Sequence, residues 1–199
     1  LWGKLVLSHT LDGRLVATAK GSGEIAWERQ IGAPEAGETI TVAPLIVKDM
    51  AISGVSGGEF GIRGWLEATD LKSGKRRWRR HTIAAPGEPG GDTWVDDHEA
   101  YKTGGGGTWV TGSYDSELDL IYWGVGNPGP DWDRHYRPGD NLFSNSSIAV
   151  DPDTGEIKFH FQYTPNDPFD FDGVNEHVLV DTQYKDKSHK MMLHADRNG

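Results

Sequence analysis

Ala68-Thr69-Asp70-Leu71-Lys72-Ser73-Gly74-Lys75-Arg76-Arg77-Trp78 is the stretch that decides the fold, because its pattern occurs twice more. Without gaps it superimposes on Ala17-Thr18-Ala19-Lys20-Gly21-Ser22-Gly23-Glu24-Ile25-Ala26-Trp27 and on Ala149-Val150-Asp151-Pro152-Asp153-Thr154-Gly155-Glu156-Ile157-Lys158-Phe159. Each copy has the form of a β-hairpin. A strand ends at a small residue, a polar turn with Ser or Thr leads to a glycine, and a second strand carries an aromatic four residues later. The glycine suits a turn position with φ > 0, where a side chain costs energy. Alanine at one end and Trp or Phe at the other make a small-against-large pair through which neighbouring sheets can dock. Such a repeat in β structure predicts radial or linear stacking of sheets, most often a β-propeller. The copies begin at residues 17, 68 and 149, so the second interval holds a long insertion. Long insertions in propellers are usually functional loops.

Composition agrees with an all-β chain. The 199 residues include 27 glycines and 8 tryptophans, with short β-branched and aromatic runs between glycine turns. No apolar i, i+3, i+4, i+7 pattern persists over three turns, so nearly all strand and turn is expected. Beginning at Leu1 without a Met and ending on Asp196-Arg197-Asn198-Gly199 after an apolar run, the sequence reads as an excised piece. In isolation its unpaired sheet edges would favour aggregation. No stretch approaches the roughly 20 apolar residues of a membrane span. The net charge of -10 argues against nucleic acid as a partner, since phosphate binding needs a basic surface. Lys75-Arg76-Arg77-Trp78-Arg79-Arg80, the one dense basic cluster, reads as a solvated strand with Arg77 and Arg79 on the opposite face from Arg76 and Arg80. The absence of cysteine excludes thiolate zinc sites and disulfides within the chain. The eight histidines, His9, His81, His98, His135, His160, His177, His189 and His194, show no i, i+4 pairing and read as structural or surface residues.

Chemistry concentrates in Thr164-Pro165-Asn166-Asp167-Pro168-Phe169-Asp170-Phe171-Asp172-Gly173. In an extended stretch Asp170 and Asp172 project to one side and Phe171 to the other. Two carboxylates that close repel unless water screens them or a cation, a proton or a fixed donor compensates them. Taken alone the pair fits a solvated acidic turn better than a metal or acid/base site.

The hairpin repeat resembles the tryptophan-docking motif of the pyrroloquinoline quinone-dependent alcohol dehydrogenases, and the copy from Ala68 to Trp78 is the nearest match. Further segments resemble the same family in its order. They are Thr39-Ile40-Thr41-Val42-Ala43-Pro44, the run Gly54 to Gly64 around Glu59, Gly104 to Trp109 with Gly124 to Pro130, and the terminal Asp196-Arg197-Asn198-Gly199. The resemblance implies that residues 1–199 are several blades of a single eight-bladed quinoprotein propeller, truncated at both ends. It also implies oxidation of small primary alcohols in the periplasm by hydride transfer to the quinone, with a cytochrome c-type electron acceptor and a possible homodimer of the whole enzyme.

By the same resemblance Glu59, Asn127 and Asp170 hold one metal ion on the propeller axis, and Asp170 is also the general base. Thr41, Ser56, Gly57 and Gly58 lie where the family contacts the quinone's periphery. Trp109 matches the aromatic floor beneath the ring, and Arg197 matches the guanidinium that donates to the quinone oxygens. Lanthanide-dependent relatives have an aspartate two residues after the base, where calcium-dependent methanol dehydrogenases have a small uncharged residue. Here that residue is Asp172, which favours a lanthanide as the metal, with calcium the alternative. Glycine in the run Gly104-Gly105-Gly106-Gly107-Thr108 and the sequence Thr111-Gly112-Ser113 depart from methanol dehydrogenases and favour a broader primary-alcohol enzyme. The competing readings are a propeller that serves only as a binding scaffold and a quinoprotein sugar dehydrogenase. The first would lose the site, and the second would carry a different metal constellation.

Overall fold

Each of the three repeated segments folds as a hairpin within an antiparallel sheet, in a computed structural model that describes residues 1–199. The first sheet contains β1 (Leu5–His9), β2 (Arg14–Ala19) and β3 (Ile25–Gln30). The second is the four-stranded meander β4 (Leu45–Val47), β5 (Met50–Gly54), β6 (Trp65–Asp70) and β7 (Arg76–His81). A third meander follows with β8 (Ser113–Asp115), β9 (Leu120–Val125), β10 (Ser146–Val150) and β11 (Ile157–Gln162), and then the hairpin β12 (Val178–Tyr184) with β13 (Lys187–Leu193). Sequential meanders of this kind are propeller blades, and the remaining regular structure is four short 3₁₀ turns. No helix is long and apolar enough to cross a membrane.

The register explains the repeat. Ala17 faces Trp27, Ala68 faces Trp78, and Ala149 faces Phe159 across their hairpins, and each alanine is followed by a β-bulge. Gly74 (φ 68°) and Gly155 (φ 71°) adopt the left-handed conformation, and both are also docking surfaces. A Cβ on Gly155 would lie 2.6 Å from the Trp78 ring, and one on Gly74 would lie 3.4 Å from the Trp27 ring. Trp27 and Trp78 therefore each lie on the glycine turn of the next sheet. Trp78 is buried and its Nε1 donates to the Pro152 carbonyl at 2.8 Å. Between the sheets a core forms around Leu15, Met50, Ile52, Trp65, Trp123 and Ile148.

The basic strand β7 differs from the expected solvated strand. Arg79 lies directly opposite the fully buried Glu67 and donates to it at 2.8 Å, while the bulge between Ala68 and Thr69 breaks alternation at Arg77 and brings Arg76 within 3.9 Å of the same carboxylate. Glu67 also receives Arg29 from β3 at 2.6 Å, and the Arg79 guanidinium stacks 3.9 Å from the Trp65 ring centre. Arg77 pairs with Asp49 and Asp70, while Arg80 donates to the Gly155 carbonyl in the next sheet at 2.7 Å. Arg76 is left as the most exposed of the four. The cluster thus links sheets to one another, because a buried carboxylate must find partners.

Two histidines have clear structural placements. His9 bridges the Val42 carbonyl and the Ser53 hydroxyl. His177 is buried against Ser147 Oγ, and burial, with the neighbouring His194, holds its pKa down at about 4.

Two predictions follow from these contacts. Gly155→Ala loses about 2 kcal/mol of stability through the left-handed φ and the collision with Trp78, and Trp78→Ala loses about 3 kcal/mol. In chemical denaturation the double variant loses less than the sum, because removing the indole clears the space; additive losses would contradict the docking contact. The second concerns pH. His177 binds its proton more weakly folded than unfolded, so its contribution is complete above an unfolded pKa of about 6.5 and is lost as pH falls towards about 4. His177→Gln should flatten the loss of melting temperature over that window, and an unchanged slope would refute the assignment.

Candidate functional site

At one end of the sheets the chain crowds around a concavity of about 290 Å³. Thr41, Ser56, Gly57, Gly58, Glu59, Trp109, Asn127, Asp170, Asp172 and Arg197 all line it, together with Gly107. Every site residue expected from the sequence is therefore brought to one place, from segments far apart in the chain.

Local structure explains how. Thr39 and Ser56 form an isolated antiparallel bridge, which lets the Thr41 and Ser56 hydroxyls share a hydrogen bond at 2.7 Å. Glu59 sits in the 3₁₀ turn Gly58–Phe60. Gly57 enters that turn at φ 123°, and a side chain there would strike the Gly37 carbonyl. The segment 104–108 threads between two sheets: Gly105 N–H bonds the Ile62 carbonyl, Gly106 N–H the Asn127 carbonyl and Thr108 N–H the Val55 carbonyl. Thr108 is fully buried, accepts from Val55 N–H and donates to the Trp65 carbonyl, both at 2.8 Å. That anchor leaves the next residue, Trp109, facing the concavity with 39% of its surface exposed. Asn127 follows the end of β9.

The Asp170–Asp172 segment is not the extended stretch expected from its spacing. Both aspartates have φ 59°, in the left-handed region that an extended strand does not use. The cause is Asp167, which the sequence reading passed over. Its buried carboxylate accepts the N–H groups of Phe169 and Phe171, both at 2.8 Å, and the Asn145 side-chain amide at 3.0 Å. The fully buried Arg137 holds the Asp167 carbonyl at 2.6 Å. The backbone on either side of Asp170 is clamped, and both acids reach the same concavity. Arg197 donates to the Asp170 carbonyl at 3.0 Å.

The electrostatics are strained in one direction. Burial raises the Asp170 pKa; the Arg197 charge opposes the shift, while Glu59 and Asp167 add to it. Burial pushes Asp172 to about 7, opposed by Arg197 and by the Asn127 N–H, with repulsion from Asp170 and Glu59 adding to it. Asp131 is raised by burial and then by Asp170 and Glu59. Asp172 Oδ1 is buried and has no hydrogen-bond partner. A set of mutually repelling acids with an orphaned oxygen, facing open space, matches the donors that a hard cation takes. No three His, Cys, Asp or Glu side chains are drawn close enough to hold a metal by themselves; the amide of Asn127 lines the same concavity. The concavity is lined by Trp109 as its only large aromatic face, with small and hydroxyl residues around it, which suits a flat polar ligand. Asp131, Gly107 and Asp167 were not legible as site residues, although Asn166-Asp167-Pro168 is a turn signature that could have drawn attention to the clamp.

The family described as PQQ: Glucose/ethanol/alcohol dehydrogenase, beta-propeller domain matches residues 3–199. Over its whole length the chain is 43% identical to the quinoprotein alcohol dehydrogenase PedH of Pseudomonas putida, of which it covers 36%. It is also 43% identical to the lanthanide-dependent methanol dehydrogenase of Methylorubrum extorquens, with 98% of this chain and 35% of that protein aligned. The solved structure of a europium-containing methanol dehydrogenase superimposes with a TM-score of 0.94 at 38% identity, covering 100% of this chain and 37% of that one. The chain thus spans about a third of the length of the curated relatives it matches. Asp167→Asn exchanges one acceptor oxygen for a donor facing a donor, so it should lower unfolding stability by about 1–3 kcal/mol. Denaturant unfolding reads this, and an unchanged midpoint would dismiss the clamp.

Proposed function

The chain belongs to the pyrroloquinoline quinone-dependent glucose/ethanol/alcohol dehydrogenase β-propeller family, and from that premise we propose that it forms the quinone- and metal-binding part of a primary-alcohol dehydrogenase. The observation that carries the reading is the meeting of Glu59, Asn127, Asp170 and Asp172 with Trp109 and Arg197 around one concavity. On this reading, residues 1–199 are part of a single propeller domain, and the whole enzyme works in the periplasm, passes electrons to a cytochrome c-type acceptor and can pair as a homodimer.

When bound, the quinone would supply an electrophilic carbon to accept hydride, and the metal would supply Lewis-acid polarisation. Glu59, Asn127, Asp170 and Asp172 would hold the metal through oxygen. Trp109 offers the flat apolar face on which the ring rests, while Thr41 and Ser56 present hydroxyls and Gly57 and Gly58 leave room for close approach. Asp170 would take the alcohol's hydroxyl proton on its carboxylate, which a bound cation would keep ionised despite its burial. Arg197 lies beside it as the fixed positive charge that favours reduction of a neighbouring acceptor.

The metal is a lanthanide on this reading, with calcium as the alternative. Glu59, Asp170 and Asp172 together place three negative charges at the site, and a trivalent ion compensates them more fully than a divalent one. Two relatives point the same way by their names, one lanthanide-dependent and one europium-containing.

Reconstitution of the full-length protein with the quinone tests both levels. Activity towards primary alcohols should be high with a light lanthanide and weak with calcium, and Asp172→Ala should cut the lanthanide-supported rate by about ten-fold or more. Equal activity with either metal, or no loss in Asp172→Ala, would overturn the metal assignment; no activity with any metal would overturn the enzyme.

A further inference from the structure

Asp131 stands four residues beyond Asn127, outside every motif that identifies the site. Its Oδ1 accepts the Asn127 side-chain Nδ2 at 2.6 Å. The other neighbour of that nitrogen, the Pro128 carbonyl, is 3.5 Å away, so the carboxylate is the partner that matters. Asn127 is buried at 5% exposure, and its Oδ1 takes part in no hydrogen bond within the protein while the residue lines the concavity.

The loop that carries Asp131 is itself fixed. Arg137, fully buried, donates from Nε to the Pro130 carbonyl at 2.9 Å and from Nη2 to the Asp131 carbonyl at 2.8 Å. A third bond, from Nη1 to Asn141 Oδ1 at 3.0 Å, locks the guanidinium in place. Asp131 is thereby held against Asn127 from behind. An amide has one donor end and one acceptor end. Turning Asn127 over would set its oxygen against the Asp131 carboxylate, acceptor against acceptor, and would aim the NH2 group into a space surrounded by Glu59, Asp170 and Asp172.

We propose that Asp131 is a positioning residue, which commits the Asn127 amide to the orientation that presents Oδ1 to the site as the oxygen a hard cation takes. The inference rests on the reading of Glu59, Asn127, Asp170 and Asp172 as a metal site. It adds the outer partner that makes an amide ligand one-sided, as hydrogen-bonded neighbours do for other ligands. Asp131 lines a second concavity of about 390 Å³ with Thr103, Trp132 and Tyr136, and Gly58 and Glu59 line both spaces.

The test uses the full-length protein with quinone bound and measures lanthanum and calcium retained in equilibrium dialysis, with bound metal determined by elemental analysis. Asp131→Ala should weaken metal binding by about ten- to a hundred-fold. Asp131→Asn, which can still turn an oxygen towards Nδ2, should recover most of that loss. In an Asn127→Asp background both outer oxygens are ligands, orientation ceases to matter, and Asp131→Ala should no longer weaken binding. Asp131→Leu serves in place of alanine if the shorter side chain disorders the loop. Unchanged affinity in Asp131→Ala overturns the proposal. So does an Asp131→Asn variant as weak as the alanine one, which would assign the effect to charge. Glu59→Gln separates the two levels: intact metal binding in that variant refutes the metal site itself, whereas loss there with no effect of Asp131→Ala refutes positioning alone.

Discussion

The constraint on which the rest of this structure depends is the lack of room where the sheets converge. Gly54 runs so close to the Thr108 carbonyl, and Gly64 so close to the Gly106 carbonyl, that neither position has space for a Cβ. Backbones that approach so nearly can exchange main-chain hydrogen bonds directly, and segment 104–108 does so with both neighbouring sheets. The functional side chains hang from this tightly knit backbone. Trp109 faces the concavity because Thr108 is buried among main-chain partners, and Glu59 does so because the glycines around it shape a turn that larger residues could not enter.

That arrangement concentrates negative charge. Glu59, Asp170 and Asp172 come from two stretches of chain that only the fold brings together, with Asp131 beside them from a third, and Arg197 is the one cation that lines the concavity. Burial keeps water from fully screening Asp131, Asp170 and Asp172, and nearby carboxylates add to the cost of ionising each. The side chains around them are held by neutral or distant partners. Asp167 is occupied by backbone N–H groups, and Arg137 spends its donors on carbonyls and an amide. The fold thus stabilises the loops without neutralising the acids, which suits a site that takes its compensating charge from a ligand.

Much of this was legible in the sequence where a local rule governed the outcome. The three hairpins could be read because Gly23, Gly74 and Gly155 and their aromatics obey turn chemistry and strand register. The residues of the concavity could be named from resemblance, although nothing in their spacing showed that Glu59 and Asp172 would share a cavity. Local rules failed where long-range partners took over. Arg79 keeps the alternation of its strand, directly opposite Glu67, but the face it reaches is buried and not solvated, because the carboxylate there must find partners. Asp170 and Asp172 share a site through left-handed backbone clamped by Asp167, not through extended geometry. Asp131 carried no signal at all, because its importance lies in a contact across a loop.

The docking of Trp27 on Gly74 and of Trp78 on Gly155 is heterologous: the middle sheet gives a ring from its second repeat strand and receives one on its own turn. Contacts of that sort have a direction and no twofold partner, so the same joint applied repeatedly generates a rotation. Phe159 is 58% exposed, and the space over Gly23 is open. One is a tenon without its mortise and the other a mortise without its tenon, so copies of this joint laid head to tail curve in a single sense.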